Sequence, residues 1–179
     1  MTHPALRQEL LARVARDQAV RDTFATELRT TGTVSPGLLA SLRAVDSANV
    51  AWLKPQLREA GLPTRAQVGA DGVAAVTLLI QHADMDPAFQ AEALPLLDAA
   101  HRAGDVTGQE VALLTDRVAK AQGRPQRYGT QTTLRDGRLV FDPIEDSAQV
   151  DARRAARGLP PLATYKALLD SVYGVGPQP

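Results

Sequence analysis

Apolar positions recur with helical spacing over most of this chain. From Pro4 to about Leu28, the residues Leu6, Leu10, Phe24 and Leu28 fall on one side of a helix, and Asp17 and Arg21 share that side. The two are four residues apart, in the order that suits a helical ion pair. They are either a pair at the rim of the stripe or a buried pair facing a polar cavity. Ser35-Pro36 opens a second helix, as an N-cap followed by proline at the first helical position. It runs to about Ala60 on a stripe of Leu38, Leu42, Val45, Trp52 and Leu53, with Asn49 inside the stripe and Asp46 at its edge. Gly61 and Pro63 end it, and Thr64 to Gln67 reads as a capping box for one short turn.

The stretch from Asp71 to Pro87, DGVAAVTLLIQHADMDP, is apolar almost all round before it closes in Gln81, His82, Asp84 and Asp86. That pattern predicts a central, buried helix with a polar exit. Thr77, Gln81 and Asp84 make one seam along it. His82 falls roughly 160° from Asp84 on an ideal helix, so the two form no tight dyad unless the helix has unwound by Ala83. Asp86-Pro87 caps the next helix, which reaches His101 on Phe89, Ala93, Leu96, Leu97 and Ala100, with Gln90 and His101 on one flank. Thr107 and Glu110 form a second capping box, and a helix follows to about Gln122 with Val111, Leu114 and Val118 inward. Asp116 and Lys120 fall on its far side, where they read as a solvated pair.

Beyond Gly123-Arg124-Pro125 the period changes to two. Gln131 to Arg135, Asp136-Gly137 and Arg138 to Asp142 predict a hairpin over about 130–142. In that register Leu134 faces Leu139 and Thr132 faces Phe141, giving an apolar face that must lie on helices. Asp146 to Gln149 resembles a further capping box for a helix that stops at Gly158. Asp151 borders its alanine stripe, and Arg153, Arg154 and Arg157 point away as a solvated surface. A final helix lies around Tyr165, and the tail from about 174 is expected to fray. The expected fold is therefore mainly α: a single domain over 1–179, a bundle of about six or seven helices with one late β-hairpin packed on it.

Composition narrows the chemistry. Apolar residues make up 44% of the 179 and aromatics only 4%, so the core is built from Leu, Val and Ala, which suits helix packing. Twenty basic residues balance twenty acidic ones, which removes any argument for nucleic acid. No apolar run is long enough for a membrane span and the N-terminus lacks a signal-peptide core, so a cytoplasmic location is expected. The absence of cysteine excludes disulfides and thiolate catalysis. The chain has three histidines, none in a zinc-binding spacing, and no glycine-rich phosphate loop or nucleophile elbow; no metal or cofactor is expected.

What remains is a set of polar groups on apolar faces or at element ends: Asp17, Arg21, Asp46, Asn49, Thr77, Gln81, His82 and Asp84. They suggest a polar inter-helical pocket for a small polar or anionic ligand. His82 is the candidate proton carrier, with Asp17, Arg21, Asp46 or Gln81 orienting. Tyr128 and Gln131, in the RYGTQ stretch at the hairpin entrance, are further ligand-binding candidates. The rival reading is a non-catalytic interaction or immunity-type regulatory module, with a protein partner, in which these groups only fix helix register.

The words QHADMDPAFQ (Gln81 to Gln90), RYGTQ (Arg127 to Gln131), DPIED (Asp142 to Asp146), VDARRAARGLPPL (Val150 to Leu162) and Tyr165 occur here in order. Together they resemble a family of small bacterial proteins described only as a domain of unknown function. The likeness extends upstream through DQAVR, VDSAN and AGLPT, although Leu62 stands where that family tends to carry an aromatic. The resemblance implies a bacterial source and a compact stand-alone domain, and no reaction.

Overall fold

The computed structural model describes residues 1–135 and 138–173. The Asp136-Gly137 turn and the tail expected to fray both lie outside the described residues. Seven α-helices and one antiparallel hairpin are present among them, so the protein is mainly α. The chain divides into two compact units, Met1–Val106 and Thr107–Pro179.

In the first unit, α1 (Pro4–Thr31), α2 (Pro36–Ala60), α3 (Arg65–Gln81) and α4 (Pro87–Arg102) pack around Leu10, Leu53, Leu57, Val76, Leu79, Ile80, Phe89 and Leu97. Helix α3 is buried along most of its length, as its unbroken apolar run requires. Its reciprocal Thr64–Gln67 capping box starts a single turn, because Gly69 then leaves helical geometry at φ 78°, ψ 171°. The left-handed region is natural for glycine alone, so this kink is written into the sequence. Asp71 restarts the helix beyond it, accepting from the Gly72 N–H at 2.9 Å and pairing with Arg7. At the far end α3 stops at Gln81, with His82 as its C-cap. Asp84 is thus off the helix, and the expected Thr77–Gln81–Asp84 seam is cut before its last member. The amide of Gln90, 1% exposed, donates to the Ile80 and Gln81 carbonyls and to the Asp84 carboxylate. It satisfies carbonyls that a helix end leaves without partners. Asp86 caps α4, accepting from the Phe89 N–H at 3.0 Å, and also holds Lys54 at 2.7 Å.

The second unit opens with α5 (Gly108–Ala121), started by the Thr107–Glu110 capping box. A side chain at Gly108 would collide with the Arg157 carbonyl oxygen, 2.0 Å from where its Cβ would stand. Strands β1 (Thr132–Arg135) and β2 (Arg138–Phe141) pair in the expected register, with Leu134 opposite Leu139 and Thr132 opposite Phe141. The apolar face is only partly covered, however. Phe141 stacks on Tyr165 at 6.4 Å, whereas Leu134 is 61% exposed. Asp146 does not cap: it adopts a left-handed backbone and makes no capping bond. A 3₁₀ turn over Ser147–Gln149 leads instead into α6 (Val150–Ala155). Asp151 accepts from the first N–H of α7 (Leu162–Tyr173) at 2.7 Å.

Two further expectations about this unit are overturned. Asp116 is fully buried and belongs to no solvated pair. Its carboxylate accepts from the backbone N–H groups of Arg127, Tyr128 and Thr130 and from the Thr130 hydroxyl, at 2.7 to 3.2 Å. Lys120 pairs with Asp142 instead, at 2.6 Å. Helical phase placed Asp116 opposite the core stripe, and the RYGTQ loop, arriving later in the chain, covers that side. Arg154 is likewise fully buried rather than pointing to solvent. Its guanidinium donates to the carbonyls of Tyr128 and Pro160, each at 2.6 Å, and lies 4.8 Å from the Tyr165 ring centre. Burial lowers its pKa, against the pull of Tyr165, Asp151 and Asp116.

Candidate functional site

Three helices of the first unit bring four of the expected residues together. Asp17 sits on the inner face of α1 with no exposure. One carboxylate oxygen accepts from His82 Nδ1 at 2.8 Å and from the Gln18 amide at 2.8 Å, and the other accepts from Arg21 Nε at 3.1 Å. Arg21 reaches on to Asp46 of α2, its terminal nitrogen 2.7 Å from the carboxylate. An unbroken path therefore runs from His82 through Asp17 and Arg21 to Asp46. The HAD word misleads, because the partner of His82 is the remote Asp17 rather than Asp84.

Burial and pairing pull the two carboxylates in opposite directions. Burial raises the pKa of Asp17, but hydrogen bonding from His82, with the charges of His82 and Arg21 and the Gln18 amide, outweighs it and leaves the pKa lowered. Burial also raises that of Asp46, and there it prevails over Arg21, helped by repulsion from Asp17. The lowered pKa favours the ionised form of Asp17, and an ionised carboxylate only accepts. His82 Nδ1 must then carry the proton of that bond. In the neutral ring this leaves Nε2 with a lone pair, on a side chain 19% exposed.

Asn49 lies one turn along α2 from Asp46 and 5% exposed, and its Oδ1 accepts from Arg13 at 3.3 Å. Arg13 in turn is one turn from Asp17 on α1, rests 4.2 Å from the Trp52 ring centre, and lies 2.8 Å from Glu9. Neither Arg13 nor Gln18 is among the expected residues. Gln18 falls beside the apolar stripe, whereas Arg13, seven residues after Leu6 and four before Asp17, shares its face, and that position is the signal that marks it. Gln81 is buried, and it and Asp84 meet Gln90 at the end of α3. Tyr128 and Gln131 belong to the second unit. The buried Tyr128 hydroxyl accepts from Arg157 at 3.2 Å, and the Gln131 amide donates to the Thr130 hydroxyl at 3.1 Å. Gln126, also missed and 1% exposed, exchanges bonds with the Gln131 backbone there and ties it to the Asp142 carbonyl. No sequence signal distinguishes that glutamine from a loop residue.

Among the described residues no group of three or more His, Asp or Glu is placed to hold a metal ion. No helix among them is long and apolar enough to cross a membrane. A cavity of about 270 Å³ edged by Leu6, Leu10, Leu53, Leu57 and Val76 shares no lining residue with the Asp17 cluster.

These features define a mainly helical protein with a late hairpin and a cluster of imidazole and guanidinium around a buried carboxylate. The chain belongs to a family of unknown function, DUF6624, whose model matches residues 4–177. No curated protein and no solved structure matches it.

Proposed function

We propose that the His82–Asp17 dyad is an acid–base site acting on a small polar or anionic ligand. The observation that carries this is the bond from His82 Nδ1 to a fully buried carboxylate, with the imidazole itself still partly exposed. Such a bond fixes the tautomer and ring orientation and stabilises the imidazolium formed when Nε2 takes a proton. Arg21, 27% exposed in its side chain, holds Asp17 in place and presents the remaining positive charge of the cluster. Asp46 balances that charge from α2. The reaction class is proton transfer to or from the ligand, with His82 as carrier and Asp17 as its orienting partner.

A register device is the rival reading, favoured by the way Arg21 ties α1 to α2 and Asp17 ties α1 to the end of α3. A thermal-shift screen of small polar acids and neutral metabolites separates the two. The proton-transfer reading expects at least one compound to raise the melting temperature of the native protein and to lose that effect in a folded His82→Gln variant. No stabilising compound, together with a His82→Gln variant that fails to fold, establishes the register reading instead.

A further inference from the structure

One turn along α1 and α2 from the Asp17–Arg21–Asp46 layer lies a hollow of about 300 Å³, lined by Glu9, Arg13, Arg16, Val45, Ala48 and Asn49. Its size is at the lower end of small-molecule sites. Asn49 gives it direction. Because Arg13 can only donate, its bond to Asn49 fixes the oxygen end of the amide, and the nitrogen end is the other side. That Nδ2 is shielded from solvent and makes no hydrogen bond, on a residue 5% exposed. A buried donor without an acceptor is costly, and the cost is recovered when an acceptor arrives. Arg16, 64% exposed in its side chain and 3.7 Å from Glu9, supplies a second donor at the mouth.

We propose that this hollow binds the carboxylate of a small, singly charged organic acid, with Asn49 Nδ2 and the Arg16 guanidinium as its donors. Two arginines and one glutamate leave one net positive charge on the lining. A monoanion neutralises it, whereas a dianion such as phosphate would place excess charge beside Glu9. The valine and alanine of the lining suit a short apolar body behind the acid group. Arg13 lines the hollow, bonds the oxygen end of the same amide and rests on Trp52, so a ligand at Nδ2 is expected to disturb it. The proposal rests on reading the neighbouring cluster as a ligand site, of which this is the subsite that holds the ligand's charge.

Trp52 is the only tryptophan in the chain, so its fluorescence comes from one site, against the Arg13 guanidinium that lines the hollow. The full-length protein is titrated with sodium acetate and, separately, with inorganic phosphate at fixed ionic strength. Emission is followed together with the side-chain amide resonances of Asn49. Acetate is expected to shift both signals saturably and phosphate to bind more weakly. Asn49→Leu should weaken acetate at least tenfold and Arg16→Gln severalfold; the exposed Arg16 site keeps the test available if Asn49→Leu does not fold. His82→Gln should leave the acetate response intact. A change that fails to saturate, tighter binding of phosphate, or an unaltered response in Asn49→Leu and Arg16→Gln overturns the subsite. Saturable acetate binding with no His82-dependent stabilisation in the compound screen overturns the dyad alone.

Discussion

Asp17 and Asp46 share one guanidinium yet should respond to acid with opposite sign. The folded pKa of Asp17 is lowered, so its contribution is present above the unfolded carboxylate value and is lost as pH falls through the folded value. The folded pKa of Asp46 is raised, so its contribution favours folding below the unfolded value and is lost as pH rises through the folded one. Urea unfolding near neutral pH is expected to show Asp17→Asn destabilised by about 3 kcal/mol, the usual scale for breaking a buried ion pair. Asp46→Asn should cost clearly less there, and the gap between the variants should narrow as the buffer is made acidic. Equal losses at every pH would contradict the asymmetry. Much at this scale was legible from helical phase: Asp17 and Arg21 fall on the core face of α1 and Asp46 at the edge of the α2 stripe. The identity of the histidine's partner was not, because Asp17 and His82 are 65 residues apart and periodicity within one helix says nothing of which faces meet.

Helix boundaries followed from local chemistry, and so did the hairpin register. Two of the three capping boxes form while the one at Asp146 does not, the Asp86 cap forms, and Thr132 to Phe141 pair as alternation requires. The misplacements of Asp116 and Arg154 share one cause. Their own helices turn both away from apolar neighbours, and in each case a later loop or turn covers them. The RYGTQ loop is held by Asp116 from one side and by Arg154 through the Tyr128 carbonyl. Asp116→Ala removes the acceptor for three backbone donors, and each stranded donor costs on the order of 1–3 kcal/mol. Chemical denaturation is expected to show a loss of about 3 kcal/mol or more, with Asp116→Asn intermediate because one amide oxygen remains to accept. Hydrogen exchange should speed first at Arg127, Tyr128 and Thr130. A variant as stable as the native protein would mean the loop stands without its carboxylate.

Over the whole chain, each unit carries buried apolar residues of its own: Leu10, Leu53, Val76, Ile80 and Leu97 in the first, Ala112, Tyr128 and Leu159 in the second. All four members of the candidate site lie in the first. A fragment ending at Val106 is therefore expected to keep its helical far-ultraviolet signal and a cooperative thermal transition. A fragment without that transition would show that the site depends on residues beyond 106. The class of fold could be read from composition and period, and family membership from words scattered along the chain. Convergence of the polar groups could not, since it depends on how three helices are turned against each other.

Whether the His82–Asp17 pair works on a ligand or only joins helices comes down to Nε2 of His82, on a side chain 19% exposed. Its availability can be measured by reacting the native protein with diethylpyrocarbonate near neutral pH and following each of the three histidines by mass spectrometry. With Nδ1 committed to Asp17, Nε2 should be modified in the folded state, and more slowly in a folded Asp17→Asn variant that no longer fixes the tautomer. A His82 that stays unmodified until the protein unfolds would contradict the proposed site and leave the cluster as a joint.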